Sequence, residues 1–445
     1  MLLTSRPRPS SLGLAALVLG LGVAAAGCTS LNSSASVTNG DGTVLRFAWD
    51  TNRDADCTLT VYAGDEQRVV HTQGQSHEAL VVGLPPDAEV TWDLVAERDG
   101  ETIDRSSGAL STPASPQELA TTTVTSNGAL PIDGGYLATS LIGASVTAVV
   151  LDGEGRYVWW SVVDDSDSDL TITRTRLSRD GTAMLYGLYD PLSQGDDDVA
   201  ETIVRAPLDG SARSVVAAEG LHHDFVELPD GSLAWISFDV RTLPNGDQVR
   251  GDRIQERHPN GAVRTIWSAW DDFEYDPTHD YGPKPWTHAN SLRWVEADDS
   301  FLVSLYGLST VVEVGRETGE VLWSFGAEGD VVPDAPFEFQ HQPSFTEQGL
   351  LVFVNGDFSD AESRVVEYGL DGGAVASEIW SYQPDPSVYT FAMGDVSRLA
   401  GGSTVVDWGT RGVIDEVAAD GELLWSFDPG DGQLLGFMEW MDLGG

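Results

Sequence analysis

The feature that most constrains this chain is a turn that keeps returning. Asp152-Gly153, Asp209-Gly210, Asn260-Gly261, Thr318-Gly319, Asp371-Gly372 and Asp420-Gly421 follow one another, glycine to glycine, at intervals of 49 to 58 residues. Most of these pairs suit tight hairpins, whose central residues must tolerate positive φ. After five of the six turns comes a short apolar strand ending in Trp-Ser, at Trp160-Ser161, Trp267-Ser268, Trp323-Ser324, Trp380-Ser381 and Trp425-Ser426. A second set of turns precedes the first: Asp133-Gly134, Asp180-Gly181, Asp230-Gly231, Asp299-Ser300, Gln348-Gly349 and Gly401-Gly402. Two hairpin turns in each repeat make a four-stranded unit. Six such units with no convincing helix predict a six-bladed β-propeller over residues 120–445.

Upstream, residues 43–112 alternate apolar and polar positions in Val44–Trp49, Leu59–Tyr62 and Val90–Val95, with turn residues between them. This predicts a small β-sandwich, so the whole chain reads as all-β. Gly83-Leu84-Pro85-Pro86 before Val90-Thr91-Trp92 resembles the fibronectin type III corner, in which Leu-x-Pro precedes an aromatic-bearing strand. His71 and His77 are expected at the surface. Residues 113–119 are the linker.

The first 28 residues read as a lipoprotein signal: Arg6 and Arg8, an apolar run from Leu12 to Ala26, then Ala25-Ala26-Gly27-Cys28. Cys28 is the expected lipidation site and residues 29–42 a polar tether. The protein is therefore expected to be exported and lipid-anchored in the bacterial cell envelope, at the periplasmic or outer-membrane face. Cys57 is the only other cysteine, so an internal disulfide is excluded in the exported chain. The formal charge of −46 excludes nucleic acid as a partner, since phosphates would be repelled. Against 70 acidic residues there is one lysine, Lys284, two residues before Trp286.

Four of the eight histidines fall in three short motifs: Leu221-His222-His223-Asp224-Phe225, Trp286-Thr287-His288-Ala289-Asn290-Ser291, and Phe339-Gln340-His341-Gln342-Pro343. His223 and His341 each precede a repeat turn by seven residues, and His288 precedes its turn by eleven. Equal register in successive blades predicts that the side chains meet at one mouth of the channel. The same offset brings Thr173 and Arg174 from the second blade; Arg398 and Arg411 are further cations for that mouth. The acidic insertion 269–285 is either a lid or a solvated loop. Converging imidazoles suit two chemistries. One is a three-histidine metal site with an open position. The other is transfer of an anionic group through a nucleophilic histidine, with fixed donors on the equatorial oxygens. The absence of His-x-His or His-x-x-x-His spacing favours the second. A propeller that only binds an anionic or aromatic ligand is the non-catalytic alternative.

Residues 120–435 resemble the bacterial arylsulfate sulfotransferases. The matching stretches are His223-Asp224-Phe225, Trp286–Ser291, Thr318–Trp323, Gln340-His341, Phe353-Val354-Asn355-Gly356 and Ser363–Tyr368. The resemblance implies a ping-pong reaction needing no nucleotide, metal or other cofactor, with small phenolic sulfates as donors and phenols as acceptors. His341 would be transiently sulfated, while His223 and His288 bind sulfuryl oxygens or assist the leaving phenol. His222, Asn290, Gln340, Tyr306, Asn355, Lys284 and Arg174 are expected to bind substrate. Within that set, Gln340 would contact a sulfuryl oxygen and Asn290 would orient His288, while His223, with Asp224 beside it, would supply the proton or donor that the leaving phenol oxygen needs. In Ser304-Leu305-Tyr306 a tyrosine stands where the family has the arginine of Ser-x-Arg. Val354 stands where it has aspartate.

Overall fold

A computed structural model describes residues 30–443 except 39–40, 120–121, 128–129, 144, 164–169, 192–200, 278–285, 328, 357–361 and 431. The lipid signal and Cys28, and Lys284 and His279 of the insertion, lie outside the described residues. The chain divides into two compact units that meet in sequence at Ala114 and Ser115.

In the first unit five strands form one sheet: Leu31–Val37, Leu45–Ala63, Glu66–Val81, Glu89–Arg98 and Glu101–Ser111. The second strand is long, and its register with the third shifts between Asp50 and Ala55. Its first half pairs with the first strand and its second half with the fourth. Side chains close the sheet on itself, with Ser33 Oγ 2.8 Å from Ser106 Oγ and Leu31 N–H donating to Asp104 at 2.8 Å. Alternate residues Leu45, Phe47, Trp49, Leu59, Val61, Val90, Trp92 and Leu94 face inward and form the core. Two expectations change here. Residues 31–37 of the supposed tether are a strand, because Leu31 and Ala35 have this core to pack against. His77 is buried, not at the surface, stacked 5.2 Å from the Trp49 ring with Nδ1 2.8 Å from Thr72 Oγ1.

The second unit contains six sheets among its described residues, antiparallel except where Val332–Pro333 pairs parallel with Val375–Tyr382, in a propeller-like arrangement. Each Trp-Ser pair lies on the last strand of its own repeat, as in Tyr157–Val162 and Leu423–Asp428. The turns are constrained as well as tight: a Cβ on Gly319, at φ +67°, would sit 2.3 Å from the Ile266 carbonyl oxygen.

The ends of the repeat depart from the sequence reading. Asp133-Gly134 belongs to a 3-10 turn, Pro131–Gly134, and not to a hairpin. The strand before it, Thr123–Ser126, pairs with Leu423–Asp428 as the fifth strand of the sixth sheet. The first sheet instead takes its edge partners, Leu434–Leu435 and Glu439–Met441, from the C-terminal segment, both against Tyr136–Ile142. Both exchanges pair strand edges that would otherwise be left open.

Candidate active site

The histidine motifs share a backbone device. The opening strands of the third, fourth and fifth sheets, Leu221–Glu227, Ala289–Val295 and Gln340–Phe345, each lose register at the motif: between Leu221 and Phe225, Ala289 and Ser291, and His341 and Ser344. His223 (φ 58°), His288 (φ 44°), Phe339 (φ 59°) and Gln342 (φ 45°) all have positive φ. Non-glycine residues adopt this region at a cost, and bulges re-aim side chains beside sites. Here they turn the imidazoles together.

The result is a row of rings. His222 lies 5.1 Å from His223, His223 4.9 Å from His288, His288 5.2 Å from Tyr306, and Tyr306 5.4 Å from His341, centroid to centroid. Phe339 tilts against Tyr306 at 4.9 Å, Tyr189 approaches His223 at 6.1 Å, and Phe437 approaches His341 at 6.0 Å. Burial pushes the Tyr306 phenol, with Tyr389 near it, up to about 12, so it remains a proton donor at neutral pH.

His341 has a defined tautomer. Its Nδ1 is 2.6 Å from Asn355 Oδ1, while Asn355 Nδ2 donates to the Thr390 and Met393 carbonyls, each at 2.9 Å. Those two carbonyls fix which end of the amide is nitrogen. Asn355 Oδ1 must therefore accept and Nδ1 carries a proton, so in the neutral ring Nε2 keeps its lone pair.

Several expected contacts are reassigned. Asn355 orients His341 rather than substrate. Gln340 is buried, and its Nε2 donates to Ser304 Oγ (3.0 Å), the Leu305 carbonyl (3.2 Å) and the Thr310 carbonyl (3.1 Å), so no N–H remains for a sulfuryl oxygen. Asn290 donates to the Gln340 carbonyl at 2.9 Å, not to His288. His222 is buried between Phe238, on which it stacks, and His223, whose Nδ1 is 2.8 Å from its own, so it contacts His223 rather than substrate.

Arg174 is likewise not at the mouth. It is 2% exposed, bonded to Asp224 (3.0 and 3.3 Å), Asp395 (3.1 Å) and the Met438 carbonyl (2.6 Å), beneath the Phe437 ring at 5.0 Å. Asp224 accordingly serves Arg174 and Arg176, not His223. Burial opposes its charge, but the two guanidinium groups hold its carboxyl down at about 2. Arg398 pairs with Glu367 at 2.6 Å, in a cleft lined also by Arg293, Phe345 and Trp380 and by none of the histidines. Arg411 is exposed, on a 3-10 turn whose N–H meets Thr390 Oγ1 at 3.2 Å, beside the support of Asn355.

One functional residue had no local signal. Asp252, on the third strand of the third sheet, accepts from Thr287 Oγ1 (2.5 Å) and Ala289 N–H (2.6 Å) through Oδ2. It thereby grips the turn that carries His288. Its Oδ1 lies 3.1 Å from His222 Nε2, off the line of a hydrogen bond. For metal, the group among the described residues with ligand atoms within 4.8 Å of one another is Asp230, Glu256 and His258. Arg316 already occupies it, 2.7 Å from Asp230 and 2.5 Å from Glu256. The three mouth imidazoles form no such group.

The arylsulfotransferase (ASST) family model matches residues 136–441, well over half of the chain. The protein belongs to the arylsulfotransferase family. Its match includes strands of all six sheets, though not Thr123–Ser126, and all four histidines of the three motifs. No curated protein matches the chain. Among solved structures, it is similar to a protein of unknown function from Bacteroides caccae (13% identity, 69% of this chain and 99% of that one, TM-score 0.43). It is also similar to a streptogramin B lyase (11%, 70% and 88%, 0.39) and to the Pseudomonas aeruginosa periplasmic gluconolactonase (11%, 69% and 99%, 0.40).

Proposed function

We propose that this arylsulfotransferase moves a sulfuryl group from a phenolic sulfate ester to a phenolic acceptor through a sulfo-histidine at His341, in a six-bladed propeller. The observation that carries this reading is the Asn355 clamp, which leaves Nε2 of His341 as the nucleophilic nitrogen without a base to deprotonate it. A neutral imidazole attacks well near pH 7. Tyr306, Phe339, Tyr189 and Phe437 give an aryl group flat surfaces on either side of the histidines. His288 and the Tyr306 hydroxyl supply donors for the sulfuryl oxygens.

The competing reading, a propeller that binds aryl anions without turnover, rests on Tyr306 in place of the family arginine. Purified protein given 4-nitrophenyl sulfate and phenol separates the two: nitrophenol release dependent on phenol, and lost in His341→Asn, supports transfer. Binding with no release in wild type establishes the ligand-binding reading. Tyr306→Arg should raise turnover if missing charge limits the rate.

From the Ala25-Ala26-Gly27-Cys28 motif we also propose that the protein is held in the cell envelope by a lipid anchor at Cys28. Cys28→Ala should release it from membranes, and membrane association that survives the change would remove the anchor from the account.

A further inference from the structure

Both nitrogens of His222 face other titratable groups. Its Nδ1 is 2.8 Å from Nδ1 of His223, and its Nε2 is 3.1 Å from Asp252 Oδ1. Two ring nitrogens at hydrogen-bond distance require that one donates and the other accepts. Asp252, with Oδ2 already accepting from Thr287 and Ala289, holds its second oxygen 3.1 Å from His222 Nε2, off the line of a hydrogen bond but close enough for its charge to favour a proton there. When the pair takes up one proton beyond the neutral state, a single hydrogen lies between the two Nδ1 atoms. Whichever ring holds it, Nε2 of His223 carries a hydrogen, and the pair bears one positive charge balanced by Asp252.

Asp224, next in sequence, is committed to Arg174 and Arg176. Arg250, 4.9 Å from the Phe238 ring on which His222 stacks, is the nearby cation that feels Asp252. His223 is also faced by the His288 ring, by Tyr189, whose phenol burial raises to about 12, and by Thr173, which donates to its carbonyl.

We propose that Asp252, His222 and His223 form one proton-holding chain that presents a protonated Nε2 of His223 to the sulfate ester, supplying the positive charge that Tyr306 cannot. His223 is the catalytic residue, and His222 and Asp252 are positioning residues that act through it. This rests on the sulfotransfer reading above. In the first half-reaction the S–N bond forms at His341 Nε2 as the S–O(aryl) bond breaks, and the proton on His223 Nε2 passes to the departing aryloxide, giving phenol. In the second half, the acceptor hydroxyl returns a proton to His223 Nε2 while its oxygen takes the sulfuryl group and the N–S bond breaks.

The test is a pH titration of full-length protein carrying 15N-labelled histidine, with the His223 signal assigned by its loss in His223→Gln. In Asp252→Asn and in His222→Gln, His223 should lose its proton at a pH lower by about one unit than in wild type, the smaller end of what one neighbouring charge contributes. The alkaline limb of kcat/KM for 4-nitrophenyl sulfate should fall by the same amount. A His223 midpoint unmoved in both folded variants overturns the chain. A midpoint that moves while the alkaline limb stays overturns its role in the reaction. If the midpoint moves but no sulfate ester is ever turned over, the chain stands and the sulfotransfer reading falls.

Discussion

Position in the repeat predicts that His341 and Arg174 both lie near one mouth, yet in the fold they are opposite things. Phe437 lies between them, 6.0 Å from the His341 ring and 5.0 Å from the Arg174 guanidinium. On one side of it the bulged openings of three sheets turn imidazoles toward one another. On the other, Arg174 is sealed with Asp224 and Asp395, both 0% exposed, in a knot to which Arg176 and Arg293 add further charges. Register tells how far along a strand a residue sits. The local backbone and the partners within reach decide whether it faces substrate or core.

That contrast is sharpest in stability. Arg174→Leu leaves two buried carboxylates short of their main cation and should cost about 3–5 kcal/mol in chemical denaturation. His288→Ala, at the half-buried mouth, should cost less than ~1 kcal/mol while lowering turnover. A mild Arg174→Leu and a crippling His288→Ala in the same denaturation series would reverse the assignment of the two regions.

The next difference concerns how each region holds its key group. Asn355→Ala removes the acceptor that fixes the His341 tautomer and should lower kcat about a hundredfold or more, as wrong-tautomer substitutions do in other histidine enzymes. Its KM for the ester should change much less. A variant with an unchanged kcat would show that the tautomer does not matter.

The smallest effect is expected at the edge of the charged knot. Asp407 lies across the ladder from Asp395, accepts from Gly409 N–H at 2.7 Å, and buries its second oxygen without a hydrogen bond. Burial pushes its carboxyl well above the usual range. A carboxyl raised on folding takes up a proton when the chain folds, so stability falls as pH climbs from the unfolded value toward the folded one. Asp407→Asn should remove that loss, leaving stability nearly unchanged near pH 4 and increased by about 1 kcal/mol or more at pH 8. Melting curves at the two pH values check it, and a benefit confined to acid pH would contradict the sign.

Much of this was legible in the chain. Hairpin turns and Trp-Ser strand ends marked the repeats, because both depend on residues a few positions apart. The histidine motifs were legible for the same reason. The side-chain roles of Gln340, Asn290 and His222 were not, since each is decided by a partner about 30 to 50 residues away in another strand or sheet. Asp252 lies in a strand with no motif around it and is recognisable only once the His288 turn rests on it. The exchange of end strands was hidden as well. A strand's own sequence says that it pairs, and contacts with distant parts of the folded chain decide with which sheet.

The central claim is that His341 carries the sulfuryl group. Wild-type protein mixed with 4-nitrophenyl sulfate in the absence of acceptor, then analysed by intact mass before acid treatment and by peptide mapping, should show one sulfuryl adduct on the peptide containing His341. Added phenol should discharge it, and His341→Asn should not form it. An adduct on another residue, or phenol-dependent turnover with none on His341, would contradict the account.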